Sequence, residues 1–271
     1  MYRRTFEKNY PLGRDCFMEL LDRHGLKVRK RIRKPRTTDS THGLPVFSNL
    51  IKEYIPLAPN RLWVSDITYI PLCGHSGQNL FCYLSLMLDA YTKEIVGWSV
   101  GPSLETEYPL AALLMALERL PSGSSEKLSL IHHSDRGCQY ASSKYTETLR
   151  AHGIRISMTE SGDPKENAQA ERINNTMKNE LLKDMQFKSI EEVKKAIAHA
   201  VEFYNNERPH MSLNMMTPRE ASQCKGEIPK CWTSYREKYI NEKKAGANPE
   251  KSLPLHPCQG SPYGLRPPVN P

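Results

Sequence analysis

No run of about 18 apolar residues occurs in this 271-residue chain, so the sequence offers no candidate for a membrane-spanning helix. The opening residues, MYRRTFEKNYPLG, are basic but have no apolar run behind them. They do not read as a secretory signal, and the expected compartment is the cytoplasm. Cysteine is sparse: Cys16, Cys73, Cys82, Cys138, Cys224, Cys231 and Cys258 are seven scattered residues, never spaced as C-x-x-C. That pattern argues against a disulfide framework and against a cysteine zinc site. No H-x-x-x-H pattern is present either, so no structural zinc is expected. Internal repeats are also lacking.

Acidic residues are scarce in the first 36 positions. These hold 12 Lys and Arg against 4 Asp and Glu, while the other 235 positions hold 26 of each. The whole net charge of +8 therefore lies in an N-terminal arm. Within it, KVRKRIRKPR (27–36) is basic at seven of ten positions, including Arg29, Lys30, Arg31, Arg33 and Lys34. Such a block favours phosphate backbones through counterion release. The bland alternative is a solvated charge run.

The periodicity predicts an α/β layered domain. Residues 12–25 read as a short helix with Cys16, Leu20 and Leu21 on one side, Phe17 beside them and Gly25 as its cap. Strands are expected at 62–70, 80–89 and 93–100, with Asp89 in the turn between the last two. A helix over 104–120, a strand over 127–135 ending at Asp135, a helix over 142–153 and a strand over 154–158 follow. A long helix is expected from Pro164 to about Leu182, with Ala170, Ile173, Met177 and Leu181 as its apolar stripe. The next begins at Ser189 with the capping-box pattern Ser189-x-x-Glu192. Residues 254–271 contain six prolines and little apolar pattern, so the stretch 223–271 is expected to be a disordered tail. The order β-β-β-α-β-α-β-α-α implies a mixed sheet flanked by helices.

Three carboxylates stand out. Asp66 lies inside an apolar strand, where an ionised group is costly unless it is paired or holds a cation. Asp135 ends another strand. Glu171 lies on the helix after Pro164, with Asn174, Asn175 and Lys178 at i+3, i+4 and i+7. Taken singly, each aspartate reads as an ordinary satisfied residue, and the helix face as a solvated one. Together, two strand aspartates and a helix glutamate can hold two Mg²⁺ or Mn²⁺ ions, which prefer oxygen ligands and act on phosphodiesters. His132 and His133 are adjacent on a strand, so they point to opposite faces and cannot easily chelate together.

The segments APNRLWVSDITYIP, HHSDRGCQYAS, DPKENAQAERINNTMKNE and FYNNERPHMSLNMMTPREA resemble the integrase core of bacterial insertion-sequence transposases, closest to the insertion-sequence-three family. The resemblance covers about residues 10–222, with the four blocks in order. It implies a ribonuclease H-like fold, Asp66, Asp135 and Glu171 as a DDE triad, and Lys178 as a DNA contact. It implies metal-dependent cleavage and strand transfer at the ends of an insertion sequence, on DNA and as a homo-oligomer. Residues 1–50 then form a basic arm resembling part of a helix-turn-helix, 55–222 the catalytic core and 223–271 the tail. LGRDCFMELLDRHGLKVRKR resembles the last part of that helix-turn-helix region, which implies a downstream catalytic product whose partner is an upstream protein of the same element. Among the remaining block residues, Trp63 is expected to pack, Thr68 to line the site, Asn167 to cap or orient the Glu171 helix, and Arg208 to dock the last helix onto the core or else to bind phosphate. Arg136 and Gln139 are open between DNA contact and a structural turn. The same motifs would serve a nuclease that only nicks. A degenerate, DNA-binding relic fits less well, because all three carboxylates and Lys178 are intact.

Overall fold

The computed structural model describes residues 13–26, 43–73, 80–120, 129–161, 164–231 and 235–246. The basic run 27–36 and the proline-rich stretch 254–271 lie outside these residues. The chain divides into two compact units, Met1–Trp232 and Thr233–Pro271.

The first helix, α1 (Arg14–Arg23), is followed by Gly25 at φ 66°, a left-handed setting that glycine adopts without penalty. Phe17 is its buried residue, whereas Cys16 and Leu20 are exposed. This corrects the apolar side expected from Cys16, Leu20 and Leu21. Phe17 and Leu21 are four apart and share a face; Cys16 and Leu20 stand about 100° around the helix. Lys183 Nζ donates to the Gly25 carbonyl at 2.9 Å, tying the end of α1 to the core.

Three consecutive strands follow: β1 (Leu62–Leu72), β2 (Leu80–Asp89) and β3 (Ile95–Gly101). Asp89 closes the β2–β3 turn as expected. Its carboxylate accepts from the amides of Tyr91 at 2.8 Å, Thr92 at 2.9 Å and Asn60 at 2.6 Å. Burial nevertheless pushes the Asp89 carboxyl above the usual range. Beyond the turn come α2 (Glu107–Glu118), β4 (Ile131–Ser134), the short α3 (Cys138–Ala141), α4 (Ser143–Ala151) and β5 (Arg155–Met158).

The five strands form one sheet in the order β3-β2-β1-β4-β5. β1 pairs antiparallel with β2 and β2 with β3, while β4 lies parallel to both β1 and β5. The central strand β1 is covered on both faces. Leu62, Val64 and Ile70 pack with Ala170, Ile173, Val193 and Ile197 on one side. Trp63 packs with Leu110, Leu113, Tyr145 and Leu149 on the other. This is the helix-flanked mixed sheet that the sequence implies.

Gly97 sets the fit of α2 on β3, since a Cβ there would stand 2.0 Å from the Ala112 carbonyl oxygen. Gly97→Ala should therefore cost about 1–3 kcal/mol by forcing helix from sheet. Urea unfolding measures this, and a midpoint equal to the parent's would show that α2 shifts freely.

The segment expected as one long helix is three. Pro164–Asn167 is a 3₁₀ turn, α5 runs over Ala168–Thr176, and Met177–Leu181 is a π-turn. The π-turn is closed by the Leu182 amide on the Met177 carbonyl at 2.8 Å. Next, α6 (Ile190–Asn206) is capped by Ser189, whose hydroxyl accepts from the Glu192 amide at 3.2 Å. Glu192 bonds the Lys188 amide at 2.7 Å, so the reciprocal half of the expected box is displaced by one residue.

Thr217 and Glu220 complete a full capping box at α7 (Pro218–Ala221). Ile228 joins a small cluster with Tyr91, Leu213 and Ala221. In the second unit, α8 (Tyr235–Gly246) occupies part of the stretch expected as a tail, because YREKYINEKKAG is built largely of helix-forming residues. Residues 247–271 of that stretch lie outside the described residues. Among the described residues no helix is long and apolar enough to cross a membrane.

Candidate active site

Strand register brings the two aspartates together. In the parallel β1–β4 pair, Val64 lies opposite His133. Two residues further along each chain stand Asp66 and Asp135, at the end of β4 where the paired region stops. Asp66 shares the face of Leu62, Val64 and Ile70, against α5 and α6.

Each carboxylate is held by backbone. Asp66 Oδ1 accepts from the Ile67 amide at 2.9 Å, and Asp135 Oδ1 accepts from the Gly137 amide at 2.9 Å. A Cβ at Gly137 would stand 3.0 Å from Asp135 Oδ1 and 2.9 Å from Gln139 Oε1, so a larger residue there would press on the Asp135 carboxylate. The α5 helix adds a bond from Asn174 Nδ2 to Asp66 Oδ2 at 2.8 Å.

Electrostatics report the crowding. Burial, then repulsion by Asp135, pushes the Asp66 carboxyl up to about 7; Glu171 adds a smaller push, and the Ile67 and Asn174 hydrogen bonds oppose it. Asp66 is half-buried as a residue, yet the protein around its carboxyl makes desolvation the largest influence. Glu171 is exposed in the first turn of α5, beside an open groove of about 330 Å³ lined by Arg172, Asn175, Asn179 and Glu180. Among the described residues, no three His, Cys, Asp or Glu side chains already form a metal cage. The structure thus joins Asp66 closely to Asp135 and more loosely to Glu171.

The polar helix face expected at Glu171, Asn174, Asn175 and Lys178 splits. Positions i+3 and i+4 fall on opposite flanks of position i, about 60° one way and 40° the other. Asn174 turns inward and is 5% exposed, while Asn175 faces solvent. Lys178, in the π-turn, is half-buried and donates from Nζ to Thr68 Oγ1 at 2.7 Å. Thr68 lies two residues beyond Asp66 on the same face, as expected for a residue lining the site. Arg29, Lys30, Arg31, Arg33 and Lys34 lie outside the described residues.

Neighbouring polar residues buttress the site. His132 Nε2 lies 2.9 Å from Ser65 Oγ and 3.0 Å from Tyr145 Oη, and burial, then His133, drives its pKa down to about 3. His133 points the other way: Nδ1 meets Ser157 Oγ at 2.8 Å and Nε2 the Glu166 carbonyl at 3.2 Å. The two rings therefore serve opposite faces.

Arg136 Nε donates to the Thr159 carbonyl at 2.6 Å and Gln139 Nε2 to the Leu104 carbonyl at 2.8 Å, so each is tied to neighbouring backbone. Asn205 both donates to the Ile95 carbonyl and accepts its amide, at 3.0 and 2.9 Å, pairing an edge of β3. Arg208 forms a two-point ion pair with Glu180, at 2.7 and 2.9 Å, docking the end of α6 onto the π-turn. Glu166 was not singled out by sequence. Its carboxylate gathers the Glu160 and Ser161 amides, at 2.6 and 3.1 Å, and shapes the turn before α5.

Comparison with known proteins agrees with this arrangement. Residues 56–164 and 152–218 match two family profiles, each described as an integrase core domain. An insertion element IS600 protein of Shigella sonnei is 36% identical over 78% of this chain and 75% of its own length. The transposase for insertion sequence element IS629, also from Shigella sonnei, is 33% identical over 82% of this chain and 72% of its own. Transposase InsF for insertion sequence IS3A of Escherichia coli K12 is 29% identical over 79% and 72%. A chain of the simian T-cell lymphotropic virus intasome shares the fold, with a TM-score of 0.52 at 17% identity over 73% of this chain and 66% of that one. With both integrase-core profiles matched and insertion-sequence relatives aligned over about four fifths of its length, the chain belongs to the integrase-core transposases of bacterial insertion sequences, in the insertion-sequence-three family.

Proposed function

We propose that Asp66, Asp135 and Glu171 are the carboxylates with which this transposase carries out DNA cleavage and strand transfer at the ends of its element. The observation that carries this reading is the adjacency of Asp66 and Asp135 at the centre of the sheet, where Asp135 repels the buried Asp66 carboxylate. Such a donor set, made of hard carboxylate oxygens, fits Mg²⁺ or Mn²⁺. Asp66 and Asp135 would hold the first ion, and Glu171 would complete the set for a pair. Bound divalent ions supply positive charge beside the attacking and leaving oxygens of an in-line displacement at phosphorus.

The chain's own groups do the rest. The Ile67 and Gly137 amides and the Asn174 amide fix where the carboxylate oxygens stand. His132, which burial keeps neutral, and His133 brace β4 through their hydrogen bonds to Ser65, Tyr145 and Ser157. Lys178 offers an ammonium beside Thr68, where a phosphate flanking the scissile one would lie. Water attacks first and releases a DNA 3′-hydroxyl, which then attacks a target phosphodiester. The reaction brings two element ends together, so the active form is a homo-oligomer on DNA, working at the nucleoid. The basic arm with Arg29, Lys30, Arg31, Arg33 and Lys34 tracks the backbone, and an upstream helix-turn-helix product of the same element supplies end recognition.

The test is to incubate the chain with duplexes carrying the element's inverted repeats and Mg²⁺. Both cleaved and joined products are expected; nicking without any joining would make it a nuclease only. In the same assay Lys178→Ala should weaken end binding and lower the slope of log affinity against log salt by about 1. Lys178→Arg should restore most of both. An unchanged slope in Lys178→Ala would reduce Lys178 to a prop for Thr68.

A further inference from the structure

We infer that Asn174 is a positioning residue for Asp66: its side-chain amide holds the carboxylate in the orientation from which it binds a divalent cation. This deepens the proposed site and rests on it.

Asn174 is 5% exposed and belongs to the buried stripe of α5 and the turn after it, with Ala170, Ile173 and Met177. An amide is a poor choice there on stability grounds. Its Nδ2 donates to Asp66 Oδ2 at 2.8 Å, but its Oδ1 has no hydrogen-bond partner among the described residues. An unpartnered buried polar atom costs about 1–3 kcal/mol, and leucine of similar size would cost nothing of that kind. The assignment of nitrogen and oxygen follows from chemistry, because the reverse would set Oδ1 against a carboxylate oxygen.

The bond has a direction of use. Asp66 is repelled by Asp135 and Glu171, so its carboxylate is pushed away from the position where a shared cation would need it. The Ile67 amide holds Oδ1, a bond local to the strand. Asn174 holds Oδ2 from the helix that also carries Glu171, three residues earlier, and so couples the two carboxylate-bearing elements. Asn167 makes a parallel attachment. Its Nδ2 donates to the Ser65 carbonyl at 2.9 Å, and its Oδ1 also lacks a partner among the described residues. Seven residues apart, the two amides fasten the backbone just before Asp66 and then its carboxylate. Lys178 donates to Thr68 Oγ1 at 2.7 Å, one step further along the same face of the strand.

The experiment uses the full chain and Mn²⁺ alone at pH 8, read by calorimetry, with thermal unfolding in EDTA alongside. Asn174→Leu should fold with a Tm at or above the parent's and bind Mn²⁺ about tenfold more weakly. A purely structural amide would give the opposite result, a lower Tm and an unchanged Mn²⁺ affinity. If Asn174→Leu does not fold, Asn174→Ala carries the same comparison; failure of both to fold would show that the amide holds the fold and overturn the inference. A parent that binds Mn²⁺, with a folded variant within twofold of it, overturns the inference alone. A parent that does not bind, or an Asp66→Asn control that binds as the parent does, overturns the site reading and the inference with it.

Discussion

Asp66→Asn, Asp135→Asn and Glu171→Gln should each lose on the order of a hundredfold or more in cleavage and joining, because each removes one anionic ligand from the charge that stabilises the transition state. The fold should survive all three. Asn at position 135 keeps an oxygen for the Gly137 amide, which Asp135 now bonds at 2.9 Å. Glu171 is exposed, so Gln there should change stability by no more than about 0.5 kcal/mol. Asp66→Asn should be more stable than the parent in EDTA at pH 8, since it removes a charge that burial and Asp135 both disfavour. Lost chemistry with gained stability separates a functional carboxylate from a structural one. Joining at near-parent rate by any one variant, on duplexes carrying the inverted repeats, would remove that residue from the set.

The parts of this site that could be read from sequence are those that periodicity fixes. Apolar residues around Asp66 placed it in a strand, and a mixed sheet flanked by helices followed from the succession of strands and helices. What sequence could not supply was the register. Only the pairing of Val64 with His133 brings Asp66 beside Asp135. The face of the Glu171 helix was legible only coarsely. A polar row at i+3, i+4 and i+7 reads as one solvated face, yet the positions spread over about 100°, enough to bury Asn174 and expose Asn175. The usable signal was that Asn174 lies four residues after Ala170 and three before Met177, inside the apolar stripe. The π-turn at Met177–Leu181 has no such signal, since its sequence, MKNEL, suits an ordinary helix. Asn205 bonds the Ile95 backbone 110 residues away, and nothing local marks it.

In EDTA, the stability gap between Asp66→Asn and the parent should widen from pH 5 to pH 8.5. The sign follows from linkage. The Asp66 carboxyl is raised from an ordinary 3.8 to about 7 by burial and by Asp135, so between those pH values the folded state holds a proton that the unfolded state has released. Parent stability from this group is present below about pH 4 and is lost as pH rises through 7. The full loss is on the order of 4 kcal/mol, each pH unit between the two values contributing about 1.4 kcal/mol. His132 and His210, both kept neutral down to about 3 by burial first, act with the opposite sign, destabilising the fold as pH falls. Their effects cancel in the parent–variant difference, which is why the gap and not the parent's own curve is the quantity to measure. Adding Mg²⁺ or Mn²⁺ at pH 8.5 should close the gap. A ligand at a hundred times its Kd stabilises the folded state by about 2.7 kcal/mol, and only the parent has the full set of carboxylates to use it. A gap that stays constant across pH would mean that the Asp66 carboxyl is solvated. If the ion instead raises the Tm of both proteins equally, it binds elsewhere, and Asp66 is not among its ligands.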